Sequence, residues 1–243
     1  MKYLVNSCII YITLLNNLNK FDQFKKEWSE QVIQSINPSS ANGRKRVTEE
    51  TFQEIIKSIL KNLEIGEIKD SIIDVGCGNG LILSALSSYF KNLYGCDYCE
   101  EMVNIARELN PEAKIIKTEA NNLPFSDQIT AYSLTYSIFH YLPSYQYAVN
   151  CIYELIRVTK DKGRILIGDI LDITYKKSIL LSDKKHISSK LPLIHRYSEW
   201  MFYDLPELLS IISAHRRVKK VHIINQPTTL PFNSYRKDIC ICL

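Results

Sequence analysis

"IIDVGCGNG", residues 72–80, is an apolar run that ends in an acid and then places glycine at every second position. The run predicts a buried β-strand, and the glycines predict a sharp turn at its carboxyl end. Glycine permits backbone conformations that other residues avoid and lets a ligand touch the main chain. Ligands of doubly wound sheets bind beyond the carboxyl ends of the strands. The turn therefore predicts a site for a nucleotide-sized cofactor.

Strand-like and helix-like patterns alternate around this turn. We predict strands at 72–75, 92–96, 113–116, 130–135, 164–168, 218–224 and 236–242, and helices at 81–90, 99–109 and 146–158, with another helix around 205–212. Such alternation indicates an α/β fold with a doubly wound, seven-stranded, mostly parallel sheet. Helical spacing of Phe21, Phe24 and Trp28, and again from Thr48 to Leu63, predicts two helices before the sheet. We expect a helical cap over 1–47, a core over 48–243, and a substrate-recognition insertion at 171–202 after the fifth strand.

Composition limits the classes of partner. The 243 residues hold 30 Lys and Arg against 26 Asp and Glu, a net charge of +4 that is too small to indicate a surface for duplex nucleic acid. Residues 157–222 are more basic, with 14 Lys and Arg against 7 Asp and Glu. This excess is typical either of a solvated surface or of a site for an anionic substrate, and both interpretations stay open.

Seven cysteines form no disulfide framework, and most lie in apolar runs, as buried thiols do in a reducing cytosol. A metal site is not expected, because the pair Cys96 and Cys99 has no second pair of matching spacing. The first 17 residues lack both a signal-peptide cleavage site and the length and apolarity of a membrane span. We expect a cytoplasmic protein without membrane contact.

The glycine turn favours a cofactor with a cationic group over a dinucleotide. The dinucleotide fingerprint needs a third glycine where Leu81 stands. Asp74 also precedes the first glycine by two residues, and a carboxylate there disfavours a pyrophosphate and suits an ammonium group.

Five segments in order resemble the class I S-adenosylmethionine-dependent methyltransferases: "DVGCGNG", "YGCDYCEEMVNIA", "EANNLPFSD", "YSLTYSIFHYLP" and "LIRVTKDKGRILIGDI". The resemblance implies their Rossmann-like methyltransferase fold and S-adenosylmethionine as cofactor. It departs from the family pattern in three places: Glu119 replaces an aspartate, "KDKG" replaces a Pro-Gly-Gly turn, and Ala131 replaces an acid.

The resemblance also assigns roles by position. The glycine turn would hold the methionine part of the cofactor, and the end of the second strand would hold its ribose. The residues after the third strand would contact the adenine, and those after the fourth strand would also contact the methionine part. The implied cofactor-binding residues are Asp74, Gly76, Cys77, Gly78, Gly80, Asp97, Tyr98, Met102, Glu119, Ala120, Asn121, Tyr136 and Ser137.

His140 follows the fourth strand, where an acceptor would lie. A neutral imidazole there could take a proton from an attacking hydroxyl or amine, and a purely structural histidine is an equal alternative. Cations outside the cofactor motifs suit an anionic acceptor. The predicted acceptor-binding residues are Arg44, Arg46, His140, His195, Arg196 and Tyr197.

We therefore expect methyl transfer to oxygen or nitrogen of a small polar molecule, with a phosphorylated or nucleotide-linked one favoured, and no nucleic-acid partner. The alternatives are an RNA or protein methyltransferase, or a protein that binds the cofactor without turnover. The RNA alternative ranks lower because the chain has no "NPPY"-like tetrapeptide after the fourth strand and no appended RNA-binding module.

Overall fold

The computed structural model describes residues 20–33, 48–65, 67, 69–182 and 190–243. They build one seven-stranded sheet in the order β3-β2-β1-β4-β5-β7-β6. The strands are β1 Lys69–Val75, β2 Phe90–Asp97, β3 Lys114–Lys117, β4 Thr130–Tyr136, β5 Thr159–Leu171, β6 Lys220–Asn225 and β7 Arg236–Cys242.

Helices cover both faces of this sheet. They are α1 at 20–33, α2 Glu49–Asn62, α3 Leu81–Leu86, α4 Glu100–Leu109, α5 Tyr145–Val158, α6 Lys176–Ser182 and α7 Leu205–Ser213. The sequence sets where α2 begins, because the Thr48 side chain accepts a hydrogen bond from the Thr51 N–H, 3.3 Å away, and acids occupy the first turn.

Alternate residues of the central strands supply the two halves of the core. Ile73 and Val75 face α5 and α7, while Ile72 faces α2 and α3, and all three are buried. Strand side chains point to opposite faces in turn, so a run of apolar residues is what a strand covered on both faces requires.

The pairing of β7 shapes the functional edge. Strands β1 to β5 run parallel, whereas β7 is antiparallel to both β5 and β6. The amino end of β7, at Arg236, therefore meets the carboxyl ends of the parallel strands. Residues from two distant parts of the chain share this edge.

The predicted doubly wound, mostly parallel fold with seven strands is confirmed. The largest differences from the predicted boundaries are at the end of the helix after β1 and at the start of β5. The first helix after β1 ends at Leu86 and continues as a 3-10 turn, Ser87–Tyr89. Strand β5 begins at Thr159, so "KDKG" lies inside it, and Lys162 takes a positive φ of 65° there. No helix among the described residues combines the length and the apolarity that a membrane span requires.

Candidate functional site

A cavity of about 550 Å³ opens at the edge where the carboxyl ends of the parallel strands meet the amino end of β7. Its size falls in the range of small-molecule and cofactor sites. Thirteen of the predicted site residues lie in its lining: Asp74, Gly76, Cys77, Gly78, Asp97, Tyr98, Met102, Ala120, Tyr136, Ser137, His140, His195 and Tyr197.

The glycine turn after β1 is fixed against the end of β2. The N–H groups of Gly76 and Cys77 both donate to the Cys96 carbonyl, at 2.8 and 2.9 Å, and the Gly78 N–H donates to Asp97 Oδ2 at 3.0 Å. Gly78 has a φ of 54°, and the space where a Cβ would stand is open for 4 Å. Bare backbone therefore faces the cavity at this residue, as a closely bound ligand requires.

Asp97 ends β2 and borders the cavity. Its Oδ1 accepts from the Cys99 N–H at 2.9 Å, and its Oδ2 accepts from Gly78. Burial raises the pKa of this carboxyl, and the backbone donors Cys99 and Gly78 oppose that rise. An ionised carboxylate has about four lone-pair sites, so after the backbone donors Cys99, Gly78 and Tyr98 it can still accept from a hydroxyl donor in the cavity. The residues present thus fit a ribose.

Three predicted cofactor residues fall outside the lining that the described residues form. Gly80 precedes α3 as its N-cap, and Asn121 lies in the turn after Ala120. The Glu119 carboxylate accepts from Lys25 Nζ at 2.5 Å and from the Tyr147 hydroxyl at 3.1 Å. Glu119 is thereby tied to α1, and Thr118 and Ala120 take its expected place in the cavity wall.

Helix α1 contacts the core on both sides of the cavity. Phe21 packs edge-on against Tyr98 and Tyr147, with ring centroids 5.8 and 5.3 Å apart. Farther along, the Glu27 carboxylate accepts from the Ile194 N–H at 3.1 Å. Since Phe21 and Trp28 also line the cavity, α1 forms part of its wall.

An aromatic cluster forms the wall around His140. The His140 side chain is 2% exposed, and its ring centroid lies 4.0 Å from that of Tyr141 and 4.6 Å from that of Trp200. The Tyr197 ring also packs against Trp200, tilted by 51°, with the ring centroids 4.4 Å apart. These rings exclude water and offer flat apolar faces to a planar ligand.

The residues predicted to bind an anionic acceptor differ in where the structure places them. His195 borders the cavity, while the Arg196 Nε donates to the Leu191 carbonyl of its own loop, and Arg196 is not in the lining formed by the described residues. Arg44 and Arg46 lie outside the described residues.

A buried ion pair, Asp169 with Arg236, lies at the ends of β5 and β7 and was not predicted from the sequence. Asp169 accepts hydrogen bonds from Ser137 Oγ and from Arg236 Nη1. Ser137 and Asp169 both have a φ of 67°, which is uncommon for residues other than glycine and concentrates at functional sites. An acid at the end of the fifth strand was a usable signal for Asp169. Arg236 had none, because it stands far along the chain at the start of an antiparallel strand.

Residues 73–167 match a family model described as "Methyltransferase domain". Among solved structures, the N-methyltransferase NodS from Bradyrhizobium japonicum with bound S-adenosylhomocysteine aligns with a TM-score of 0.63 at 11% identity, covering 90% of this chain and 97% of that one. A methyltransferase in complex with the Trm112 activator from Haloferax volcanii aligns with a TM-score of 0.60 at 16% identity, covering 86% and 99%. Both show that the chain has the class I fold.

Curated relatives have narrower names. The tRNA (carboxymethyluridine(34)-5-O)-methyltransferase of Arabidopsis thaliana is 26% identical over 153 residues, which are 63% of this chain and 35% of the relative. The Saccharomyces cerevisiae protein of the same name is 23% identical over 150 residues, 62% of this chain and 50% of the relative. The chain thus spans between a third and a half of the length of these relatives.

These names overturn two expectations from the sequence. A small polar acceptor and the absence of a nucleic-acid partner were predicted, and the relatives are named for tRNA substrates. The prediction was wrong because it required a separate RNA-binding module or a base-methylase tetrapeptide.

Proposed function

We propose that this chain, which has the class I S-adenosylmethionine-dependent methyltransferase fold and carries a methyltransferase domain over residues 73–167, methylates tRNA. The acceptor we propose is a carboxymethyl oxygen on a modified uridine. The observation that carries the proposal is the similarity to relatives of that activity, which extends over more residues than the methyltransferase domain itself.

The charge distribution supports a polyanionic substrate. Residues 157–222 hold twice as many cations as acids, and this segment includes Lys177 and Lys190, both exposed. Lys190 directly precedes Leu191, which lines the cavity. Cations at a cavity edge favour binding of phosphate groups through release of counterions. The six cysteines among the described residues are free thiols, which supports a reducing compartment such as the cytoplasm, the location we propose.

The half of the cavity around the glycine turn fits the cofactor. Asp97 would accept hydrogen bonds from the ribose hydroxyls, and the backbone at Gly76 and Gly78 would lie against the methionine part. When bound, S-adenosylmethionine supplies a methyl group whose carbon–sulfur bond breaks as an acceptor oxygen bonds to the carbon, the electron pair staying on sulfur. The chain contributes alignment, which can supply about 7–11 kcal/mol of rate enhancement.

The proposed acceptor changes the role expected of His140. A carboxyl group has an ordinary pKa near 4, so it is already ionised at neutral pH and needs no general base. His140 then serves as a wall between Tyr141 and Trp200 that excludes water from the reacting oxygen. The general-base prediction applies only to a hydroxyl or amine acceptor.

The test is methyl transfer to tRNA that carries 5-carboxymethyluridine. The protein is incubated with this tRNA and methyl-labelled S-adenosylmethionine, with and without added Trm112 activator, and the nucleosides are separated by mass spectrometry. We expect 5-carboxymethyluridine to gain one methyl group, and tRNA with unmodified uridine to gain none. Label on another nucleoside only, or on none in either arm, would refute the proposal. The Asp97→Ala variant serves as the inactive control.

A further inference from the structure

Two buried N–H donors in the cavity wall lack a partner. The Nε of Arg236 and the Nε1 of Trp200 have no hydrogen bond to any residue that the structure describes, and both side chains line the cavity. A buried donor that stays unsatisfied is costly, and native proteins retain few of them. Two in one wall indicate a ligand with hydrogen-bond acceptors at this place.

The Arg236 guanidinium is held in place by its neighbours, while its Nε is a buried donor without a partner among the described residues. The side chain is 8% exposed, and its Nη1 donates to the Asp169 carboxylate. The guanidinium carbon lies 5.7 Å from the centre of the Trp200 ring and 5.6 Å from that of Phe232. Asp169 is itself fixed by Ser137 Oγ. The guanidinium is therefore orientated before any ligand binds, which lowers the entropy cost of binding.

The charged side chains around the cavity determine which kind of hydrogen-bond acceptor fits near Arg236. Asp74, Asp97 and Asp169 all border the cavity, and Arg236 is the one Lys or Arg among the described residues that line it. Asp169 already pairs with Arg236 Nη1, so an anionic group is favoured only at the Nε edge of the guanidinium and is disfavoured near Asp74 and Asp97. A carboxylate also has the two oxygens that a pair of N–H donors requires, with hydrogen bonds of about 2.8 Å to a charged donor.

We propose that Arg236 Nε and Trp200 Nε1 bind the carboxylate of the acceptor uridine, and that they make the enzyme select 5-carboxymethyluridine over uridine. This inference rests on the proposed function. The neighbouring rings of His140 and Tyr197 provide faces on which a splayed-out base stacks, as in single-stranded RNA recognition.

The experiment compares two anticodon stem-loop RNAs that differ only in 5-carboxymethyluridine or uridine. Their dissociation constants are measured in the presence of S-adenosylhomocysteine for wild type, Arg236→Lys, Arg236→Met and Trp200→Phe. Trp200→Phe keeps an aromatic ring beside Arg236 and leaves the Arg236–Asp169 pair intact but removes the N–H, so it tests the proposal even if Arg236→Met folds poorly. Affinity for S-adenosylhomocysteine is the control in every variant.

We expect wild type to bind the carboxymethyl RNA about 10- to 100-fold more tightly, the effect of one or two charge-assisted hydrogen bonds. Trp200→Phe and Arg236→Lys should lose most of this ratio, and Arg236→Met all of it, with cofactor affinity unchanged. If these variants keep the wild-type ratio, the two donors contact something else, such as a uracil carbonyl, and the inference is wrong. If wild type neither discriminates nor methylates, the proposed function fails and the inference with it.

Discussion

Replacing Gly78 and Gly80 separately by alanine distinguishes the backbone that binds the cofactor from the backbone that only supports the fold. Both residues have a positive φ, 54° and 78°, so alanine costs about 1–2 kcal/mol of folding free energy at either place. At Gly78 the new Cβ meets no atom within 4 Å. At Gly80 it lies 2.5 Å from Asn110 Nδ2 and 3.0 Å from Ala106 Cβ.

The two variants should therefore fail in different ways. Gly80→Ala carries an overpacking cost of about 1–3 kcal/mol more, since Asn110 must give up its hydrogen bonds to the Gly80 and Ala106 carbonyls. Each kcal/mol lowers the Tm of a chain of this length by about 2–4 °C. Gly78→Ala should lose only about 2–8 °C of Tm, from its positive φ alone, but bind S-adenosylhomocysteine at least about tenfold more weakly, because its methyl group occupies ligand space.

Thermal unfolding without ligand and calorimetric titration with S-adenosylhomocysteine measure the two effects. Gly80→Ala is the matched control, because it should have a lower Tm but, once folded, bind S-adenosylhomocysteine with wild-type affinity. Wild-type affinity in Gly78→Ala would show that the open space at Gly78 is not where the cofactor lies, and would remove the glycine turn from the site.

Two further predictions concern acids. Asp97→Ala should weaken S-adenosylhomocysteine binding about tenfold or more in calorimetry, because charge-assisted hydrogen bonds are lost. Asp70→Ala is the control, since Asp70 is an exposed acid paired with Lys160 on the opposite edge of the sheet, and it should bind S-adenosylhomocysteine like wild type. Equal affinities in the two variants would exclude Asp97 from the cofactor site. Burial raises the pKa of Asp238 from 3.8 to about 6, so the folded state binds this proton more tightly than the unfolded chain does. The contribution of Asp238 to stability therefore falls as the pH rises from about 4 to about 6. The Tm of wild type minus that of Asp238→Asn should thus be smaller at about pH 7.5 than at about pH 5, and parallel curves of Tm against pH would contradict this assignment.

The half of the cavity around the glycine turn was predictable because its residues follow strands directly. Asp74 and Asp97 each stand at or near the carboxyl end of a predicted strand, and parallel strands bring such ends to one edge of the sheet. The positions of Asp74 and Asp97 relative to their strands are therefore enough to predict that the two residues lie at the same edge. The fold was predictable for the same reason, since strands buried on both faces are continuous apolar runs.

The rest depends on contacts between distant segments. Glu119 is absent from the lining that the described residues form, and Lys25, 94 residues earlier, pairs with its carboxylate from α1. Arg236 reaches the site because β7 runs antiparallel to its neighbours, a direction that no periodicity reveals. Arg196 looked available for an anion, yet its Nε binds a carbonyl five residues back in its own loop.

The reversed strand β7 has an evolutionary consequence. It brings Arg236 to the cavity from a part of the chain that lies after every residue of the cofactor motifs, and Trp200 comes from the same later part. A genetic crossover in α5 would therefore exchange the proposed uridine-selecting pair while preserving the glycine turn and Asp97 intact. With this strand order, one recombination event can change the methyl acceptor while the residues proposed to bind the cofactor stay intact.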